Sequence, residues 1–277
     1  MGEGIDATDI GLPPCQDGLI EALAELGVPM VGIHLDGRPV SSNAADQHLA
    51  AIIEAWSPAE CGAEAIVDVL LGSYNPSGRL PVSVARNAGQ VPIYNAHPHG
   101  SSWHQGESVG FPEYVDAPHT PRYAFGHGLS YTTFDYSGLE LSCRDVVATD
   151  SVEVSFTLTN AGEHAGTEVV QLYIRDLYAS MARPVLELAG FHRVELEPGE
   201  SADVSFSLSM SQLAFLDADL KWRVEAGEVD ILVGASSEDL RLADVVTIRA
   251  DAWIDGASRA FYASPRIIAR RNLTRDS

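Results

Sequence analysis

The chain has 277 residues, 45% hydrophobic residues and a formal net charge of −22 at pH 7. This length accommodates two ordinary domains with buried cores, and the negative charge argues against nucleic acid or an anionic membrane as a partner. The sequence shows no signal-peptide pattern and no apolar run near the ~18 residues of a membrane span. It therefore predicts a cytoplasmic protein with no membrane partner. The acidic excess fits either an ordinary solvated surface or adaptation to high salt.

The first part of the chain alternates predicted helices with short apolar runs. Residues 17–26 are predicted to form an amphipathic helix and residues 59–71 a second one, each followed by glycine. The runs at 29–35 and 50–56 are typical of short buried elements, the first of them a strand. This alternation predicts an α/β layer with parallel strands.

The middle and the end of the chain follow different patterns. Residues 86–128 are rich in Pro, Gly, His and aromatic residues and show no period, which is typical of a functional loop or a linker. From about residue 150 the hydrophobic period changes to two, as in 152–158 and 204–208. Seven such runs separated by turn residues predict an immunoglobulin-like β-sandwich. Residues 251–277 have no clear pattern and are interpreted as a tail.

Two strings in the chain carry a family resemblance. Residues 72–82 read GSYNPSGRLPV and residues 125–134 read FGHGLSYTTF. Together they closely resemble the C-terminal region of family 3 glycoside hydrolases, the β-glucosidase and β-xylosidase group. Further along the chain, Arg183-Pro184 and Pro198-Gly199-Glu200 resemble, in residues and spacing, strings of the fibronectin type III-like domain that ends many of these enzymes.

The resemblance implies a domain plan for the whole chain. It predicts an α/β class fold, a partial α/β sandwich domain truncated at its N-terminus, over residues 1–138. An all-β immunoglobulin/fibronectin III-like sandwich is expected over residues 139–250, and a tail over 251–277. The family places a catalytic barrel before this region, so this chain is expected to start inside the family's second domain.

The same resemblance implies a catalytic role for Glu3. In much of the family the acid/base residue is the glutamate of a Gly-Glu-Gly string before an Asp-Arg pair. Gly2-Glu3-Gly4 and Asp6 match that string, although Ala7 stands in place of the arginine. A retaining glycosidase needs a second carboxyl group about 5 Å away as the nucleophile. The family carries that aspartate on its barrel, so no residue of this chain is assigned the role.

Two functions therefore stay open. The first is the C-terminal portion of a retaining β-glycosidase acting on terminal β-D-glucosides or β-D-xylosides, with Glu3 as acid/base and a separate barrel chain or a homo-oligomer completing the site. The second is a non-catalytic fragment, or a module that binds carbohydrate or a partner, in which Glu3 is solvated and inert. A nucleotide-binding α/β protein is disfavoured because no glycine-rich phosphate loop follows a strand.

The long loop supplies candidate sugar-binding residues. Aromatic faces stack on sugar rings, so Tyr94, His97, Trp103 and His104 are predicted to lie near the cleft. Packing of the loop is the alternative role for the same side chains. His97 and His99 are two residues apart with no Cys or Asp-rich signature beside them, so the sequence predicts no metal site and no cofactor.

Overall fold

The structure is a computed structural model that describes residues 4, 5, 7–98 and 114–272. The described residues form two compact units that interleave along the chain. The first, called here the α/β unit, comprises the chain up to Tyr74, Val82–Ile93 and the residues that end at Tyr123. The second, called here the sandwich unit, comprises Asn75–Pro81, the loop that starts at Tyr94 and the chain from Ala124.

Two strands and three α-helices make up the described part of the α/β unit. In chain order they are α1 (Pro14–Ala24), β1 (Val31–His34), α2 (Asn43–His48), β2 (Ala51–Glu54) and α3 (Gly62–Leu71). β1 and β2 pair in parallel, in a register that runs from Val31↔Ala51 to His34↔Glu54. The predicted parallel α/β layer is thus confirmed. Among the described residues, no helix combines the length and the apolar character that crossing a membrane requires.

Local sequence signals explain where these helices begin and end. Pro14 occupies the first helical turn of α1, where its missing N–H costs nothing. α2 is too short to be found from periodicity, and Ser42 starts it by accepting the Ala45 N–H at 2.9 Å. α3 ends at Gly72, whose φ of 75° is a left-handed conformation that glycine adopts without strain.

The described strands of the sandwich unit are β3 (Phe134–Leu141), β4 (Asp145–Val146), β5 (Ser151–Asn160), β6 (Gly166–Asp176), β7 (Glu187–Leu196), β8 (Glu200–Ser209), β9 (Phe215–Leu216), β10 (Trp222–Val224), β11 (Gly227–Ser236), β12 (Asp239–Ile248), β13 (Ala252–Trp253) and β14 (Ser264–Asn272). They form two mainly antiparallel sheets, of orders β4-β12-β11-β6-β7 and β14-β8-β5-β3, and a small sheet of order β13-β10-β9. This arrangement confirms the predicted immunoglobulin/fibronectin III-like sandwich.

The core of the sandwich lies between the inward faces of these strands. Because successive side chains of a strand point to opposite faces, the period-two runs of β5 and β8 each bury one row, including Val154, Phe156 and Phe206. Leu172 and Ile231 belong to the same core from the other sheet. Each such buried side chain contributes about 1.5–3 kcal/mol relative to exposure.

The end of the chain differs from its predicted description as a tail. β14 pairs antiparallel with β8 and forms an edge of the four-stranded sheet. The strand was not recognisable from periodicity because a register shift between Ile267 and Ala269 interrupts the alternation. Pro265 is tolerated because an edge strand has one side without ladder bonds. The segment predicted as a tail over residues 251–277 therefore contains a paired strand, Ser264–Asn272.

Candidate active site

The structure describes two of the five predicted site residues. Glu3, Trp103 and His104 lie outside the described residues. The Tyr94 side chain is 53% exposed, whereas His97 is only 4% exposed. His97 Nδ1 lies 3.0 Å from the Pro98 carbonyl oxygen. The burial of His97 favours the packing alternative, and the roles of all five residues in sugar chemistry stay predictions.

The chain segment that follows Glu3 is fixed to the α/β unit by backbone contacts. The Ser41 N–H donates to the Ile10 carbonyl at 2.9 Å, and Gly11 forms an isolated parallel bridge with Ser41. The Gly11 N–H also donates to Asp9 Oδ1 at 2.8 Å. Gly4, the neighbour of Glu3, has a φ of 70°, which favours glycine over other residues. These contacts place residues 9–11 beside the loop that follows β1.

A buried arginine holds that loop in place. Arg122 has a side chain only 4% exposed, and its guanidinium ion-pairs with the Asp46 carboxylate. Arg122 Nε donates to Ser41 Oγ at 2.6 Å, and Nη1 donates to the Ser42 carbonyl at 3.2 Å. Ser42 Oγ in turn donates to Asp17 at 2.6 Å. Several charge-assisted bonds to one planar guanidinium give the loop a defined shape.

Three titratable side chains meet where β1 and β2 end. His34 and Glu54 are the last residues of the two strands and are direct partners in the register. His34 Nδ1 lies 3.3 Å from Glu54 Oε2 and 4.0 Å from Asp36 Oδ2. The carboxyl ends of parallel strands are the usual ligand-binding edge of an open α/β sheet. This edge therefore carries a candidate ligand-binding cluster of the described α/β unit.

The environment of the cluster perturbs two of its groups. The hydrogen bond with Glu54 raises the pKa of His34 above its usual value, against the opposing effect of burial. Burial, with the negative charge of Glu54, raises the pKa of Asp36. Glu54 Oε1 accepts the Trp56 N–H at 3.1 Å, whereas Asp36 Oδ2 is buried without a hydrogen-bond partner. The sequence patterns did not predict this cluster. The only signal was a polar residue near the end of each apolar run, His34 in 29–35 and Glu54 in 50–56.

The two family strings bind each other inside the sandwich unit. Asn75 Oδ1 accepts the Tyr131 N–H at 2.8 Å, and Asn75 Nδ2 donates to the Ala165 carbonyl at 2.9 Å. The Leu80 N–H donates to the His127 carbonyl at 2.9 Å. Asn75 thus satisfies backbone groups of two separate segments with one side chain. The two strings therefore form structural connections within the sandwich unit.

A buried ion pair completes the connection between the strings and the sandwich. Arg79 Nη2 lies 2.8 Å from Glu168 Oε1, and the two side chains are 8% and 5% exposed. Gly128 is required beside it, since a Cβ there would lie 2.4 Å from the Gly78 carbonyl oxygen. Burial, and then the nearby Arg79 charge, lowers the pKa of His127. This setting agrees with a structural role for His127.

Comparison with protein families identifies both units. Residues 1–131 match the glycosyl hydrolase family 3 C-terminal domain, and residues 168–237 match a fibronectin type III-like domain. A periplasmic beta-glucosidase of Salmonella typhimurium is 39% identical over 237 residues, which are 85% of this chain and 31% of that protein. A beta-xylosidase of Formosa agariphila is 40% identical over 86% of this chain and 32% of its own length.

A solved structure extends the likeness to the backbone. The beta-glucosidase of Listeria innocua in complex with glucose superposes with a TM-score of 0.83 at 33% identity, over 90% of this chain and 35% of that one. The chain thus spans about a third of the length of the relatives it matches. Both domain matches and the order of the units agree with these relatives. The chain belongs to glycosyl hydrolase family 3, of which it carries the C-terminal domain followed by a fibronectin type III-like domain.

Proposed function

We propose that this chain supplies Glu3 as the acid/base residue of a retaining β-glycosidase whose catalytic barrel lies in another polypeptide segment. The observation that carries the proposal is the match to the C-terminal third of beta-glucosidases and a beta-xylosidase. The Gly2-Glu3-Gly4 string supports it, and so does the fixed attachment of residues 9–11 next to the β1 loop. Terminal β-D-glucosides or β-D-xylosides are the proposed substrates.

The chemistry explains why a barrel is needed. A retaining enzyme uses one carboxylate to attack the anomeric carbon and a second carboxylic acid to protonate the leaving oxygen. The acid must keep its proton near neutral pH, which requires burial or a facing carboxylate. A second surface that carries the nucleophilic aspartate provides both for Glu3 in this proposal. On this proposal the chain supplies the acid and the barrel supplies the nucleophile and the cleft.

Exposed apolar side chains on the α/β unit support the idea that a large partner covers it. In α1, Leu19 and Leu23 are 57% and 41% exposed, and in β1, Val31 and Ile33 are 49% and 41% exposed. Among the described residues, β1 pairs only with β2, so its second edge carries no strand. A two-stranded sheet with open apolar faces is marginal by itself. Such a unit is expected to be covered in the working enzyme.

Reconstitution tests the proposal. The chain is assayed on aryl β-glucosides and β-xylosides alone, and again after mixing with the barrel-containing part of a family relative. We expect turnover by the mixture and none by either part, because each carries one of the two carboxyl groups. Full turnover by the chain alone would contradict the proposal. A mixture that forms a stable complex without turnover would support the binding-module alternative.

A further inference from the structure

The cluster at the carboxyl ends of β1 and β2 offers three ligand atoms of the kinds that transition metals bind. His34 Nδ1, one oxygen of Asp36 and one oxygen of Glu54 all lie within 4.8 Å of one another. An imidazole nitrogen with two carboxylates is a mixed donor set that suits Zn²⁺ and related divalent ions. A site with three protein ligands also leaves a fourth position for water or another group.

The spacing of the three atoms is close to that of a tetrahedral site. Ligands about 2.0 Å from Zn²⁺ lie about 3.3 Å from one another in a regular tetrahedron. His34 Nδ1 and Glu54 Oε2 are 3.3 Å apart, which meets this spacing as it stands. The distance from His34 Nδ1 to Asp36 Oδ2 is 4.0 Å, so Asp36 needs to approach by less than 1 Å. Asp36 lies in the loop after β1, outside the paired strands.

The backbone fixes two of the ligands independently of any ion. His34 and Glu54 face each other because they are paired in the parallel register of β1 and β2. The Ala55 N–H donates to the His34 carbonyl at 3.0 Å, and the Asp36 N–H donates to the Trp56 carbonyl at 3.1 Å. The Trp56 N–H holds Glu54 Oε1 at 3.1 Å, so that Oε2 points towards His34. Oriented carboxylates of this kind are typical of metal ligands.

A second observation is that one carboxylate oxygen of the cluster can still accept a ligand. Asp36 Oδ2 is buried and has no hydrogen-bond partner, although a buried carboxylate oxygen is costly to leave unpaired. The side chains of His34, Asp36 and Glu54 are 13%, 17% and 21% exposed, so water screens them poorly. Two carboxylates and a neutral imidazole carry a charge of −2, which one divalent cation balances.

We propose that His34, Asp36 and Glu54 form a binding site for a divalent transition-metal ion, of which Zn²⁺ is the best fit. The ion joins the ends of β1 and β2 and the loop that carries Asp36. Its role is structural, because it holds together the edge of the sheet beside which residues 9–11 and the β1 loop lie. The proposal is independent of the sugar chemistry proposed for Glu3.

Metal binding by the full chain tests this proposal. The chelator-treated protein is titrated with ZnCl₂, and bound zinc is counted by equilibrium dialysis while thermal unfolding is followed in parallel. We expect one ion per chain and a higher unfolding temperature, because an ion that binds only the folded state stabilises it. Mg²⁺ at the same concentration is expected to have no such effect, since it prefers six oxygen ligands. Co²⁺ is expected to give the visible absorption of a four-coordinate ion.

Isosteric variants assign the ion to the cluster. His34→Asn, Asp36→Asn and Glu54→Gln each remove one ligand and are expected to weaken zinc binding by at least about tenfold. His48→Asn removes an exposed histidine of the same unit and is expected to leave binding unchanged. The proposal is overturned if the unaltered chain binds no zinc, if Co²⁺ stays six-coordinate, or if His48→Asn lowers binding as much as His34→Asn does. The Co²⁺ spectrum of the unaltered chain decides the matter even if a variant fails to fold.

Discussion

At the scale of single residues, polar groups rather than apolar ones give the family strings their shape. Asn75 satisfies backbone groups from two segments, and Arg79 forms a largely buried ion pair with Glu168. Removing one member of a buried ion pair costs far more than removing one member of an exposed pair, because the remaining charge stays desolvated. The string GRLP therefore matters for stability through Arg79.

Replacing Arg79 tests this importance. Arg79→Met is expected to lower the free energy of unfolding of the sandwich unit by about 3–5 kcal/mol, because it leaves Glu168 buried without its partner. Urea unfolding followed by intrinsic fluorescence measures the loss. Arg144→Met is the matched control, since Arg144 pairs with Asp244 while its own side chain is 61% exposed, and its effect is expected to be small. Equal losses in the two variants would refute the argument.

Also at the residue scale, the sequence indicates some candidate functional residues and gives no sign of others. Glu3 was identifiable because its neighbours form a string that a family shares. His34, Asp36 and Glu54 were not, since only the parallel register of β1 and β2 brings His34 opposite Glu54. Spacing along the chain carries no such information for residues on different strands. His97 was predicted as a possible sugar contact from residue type alone, and its burial depends on packing that the sequence does not state.

At the scale of elements, alternation helps to make strands predictable, although β6 and β11 are recognised as apolar runs despite register shifts in their pairings. β5 and β8 alternate without interruption and were recognised, whereas β3 and β14 each contain a register shift. Gly138, with a φ of 66°, lies at the irregularity of β3. β3 also crosses the predicted domain limit at residue 138. An extra residue moves all later side chains of the strand to the opposite face of the sheet. The alternation of apolar and polar residues is then interrupted, and the strand is harder to predict.

Two adjacent isoleucines test whether β14 belongs to the sandwich. Ile267 packs against the core, whereas Ile268, at the register shift, is 57% exposed. Ile267→Ser is expected to lower the free energy of unfolding by about 1–2 kcal/mol, because it replaces a partly buried apolar side chain. Ile268→Ser is expected to change it little. Equal effects in chemical denaturation would favour a tail detached from the sheet.

At the scale of the whole molecule, the two units differ in how much of their surface needs a partner. The sandwich unit closes its core between two complete sheets, in agreement with an independently stable domain. The α/β unit leaves apolar side chains of α1 and β1 exposed. A chain that spans about a third of its relatives' length, and for which Glu3 is proposed as the acid/base residue, is expected to work only with the surface that covers this unit.

The dependence of a Glu3→Gln variant on the leaving group tests the central claim most directly. In the enzyme reconstituted with a barrel, this variant is expected to lose about 10²–10⁴-fold of its activity on phenyl β-glycosides, whose leaving group needs an acid. With 2,4-dinitrophenyl β-glycosides, whose leaving group departs without an acid, the rate of the glycosylation step is expected to fall much less. Azide is expected to accelerate turnover by the variant, because it attacks the glycosyl-enzyme without needing a general base. Glu25→Gln, at the exposed end of α1, serves as the control. A variant that matches this control, or that loses both substrates equally and ignores azide, would contradict the role of Glu3.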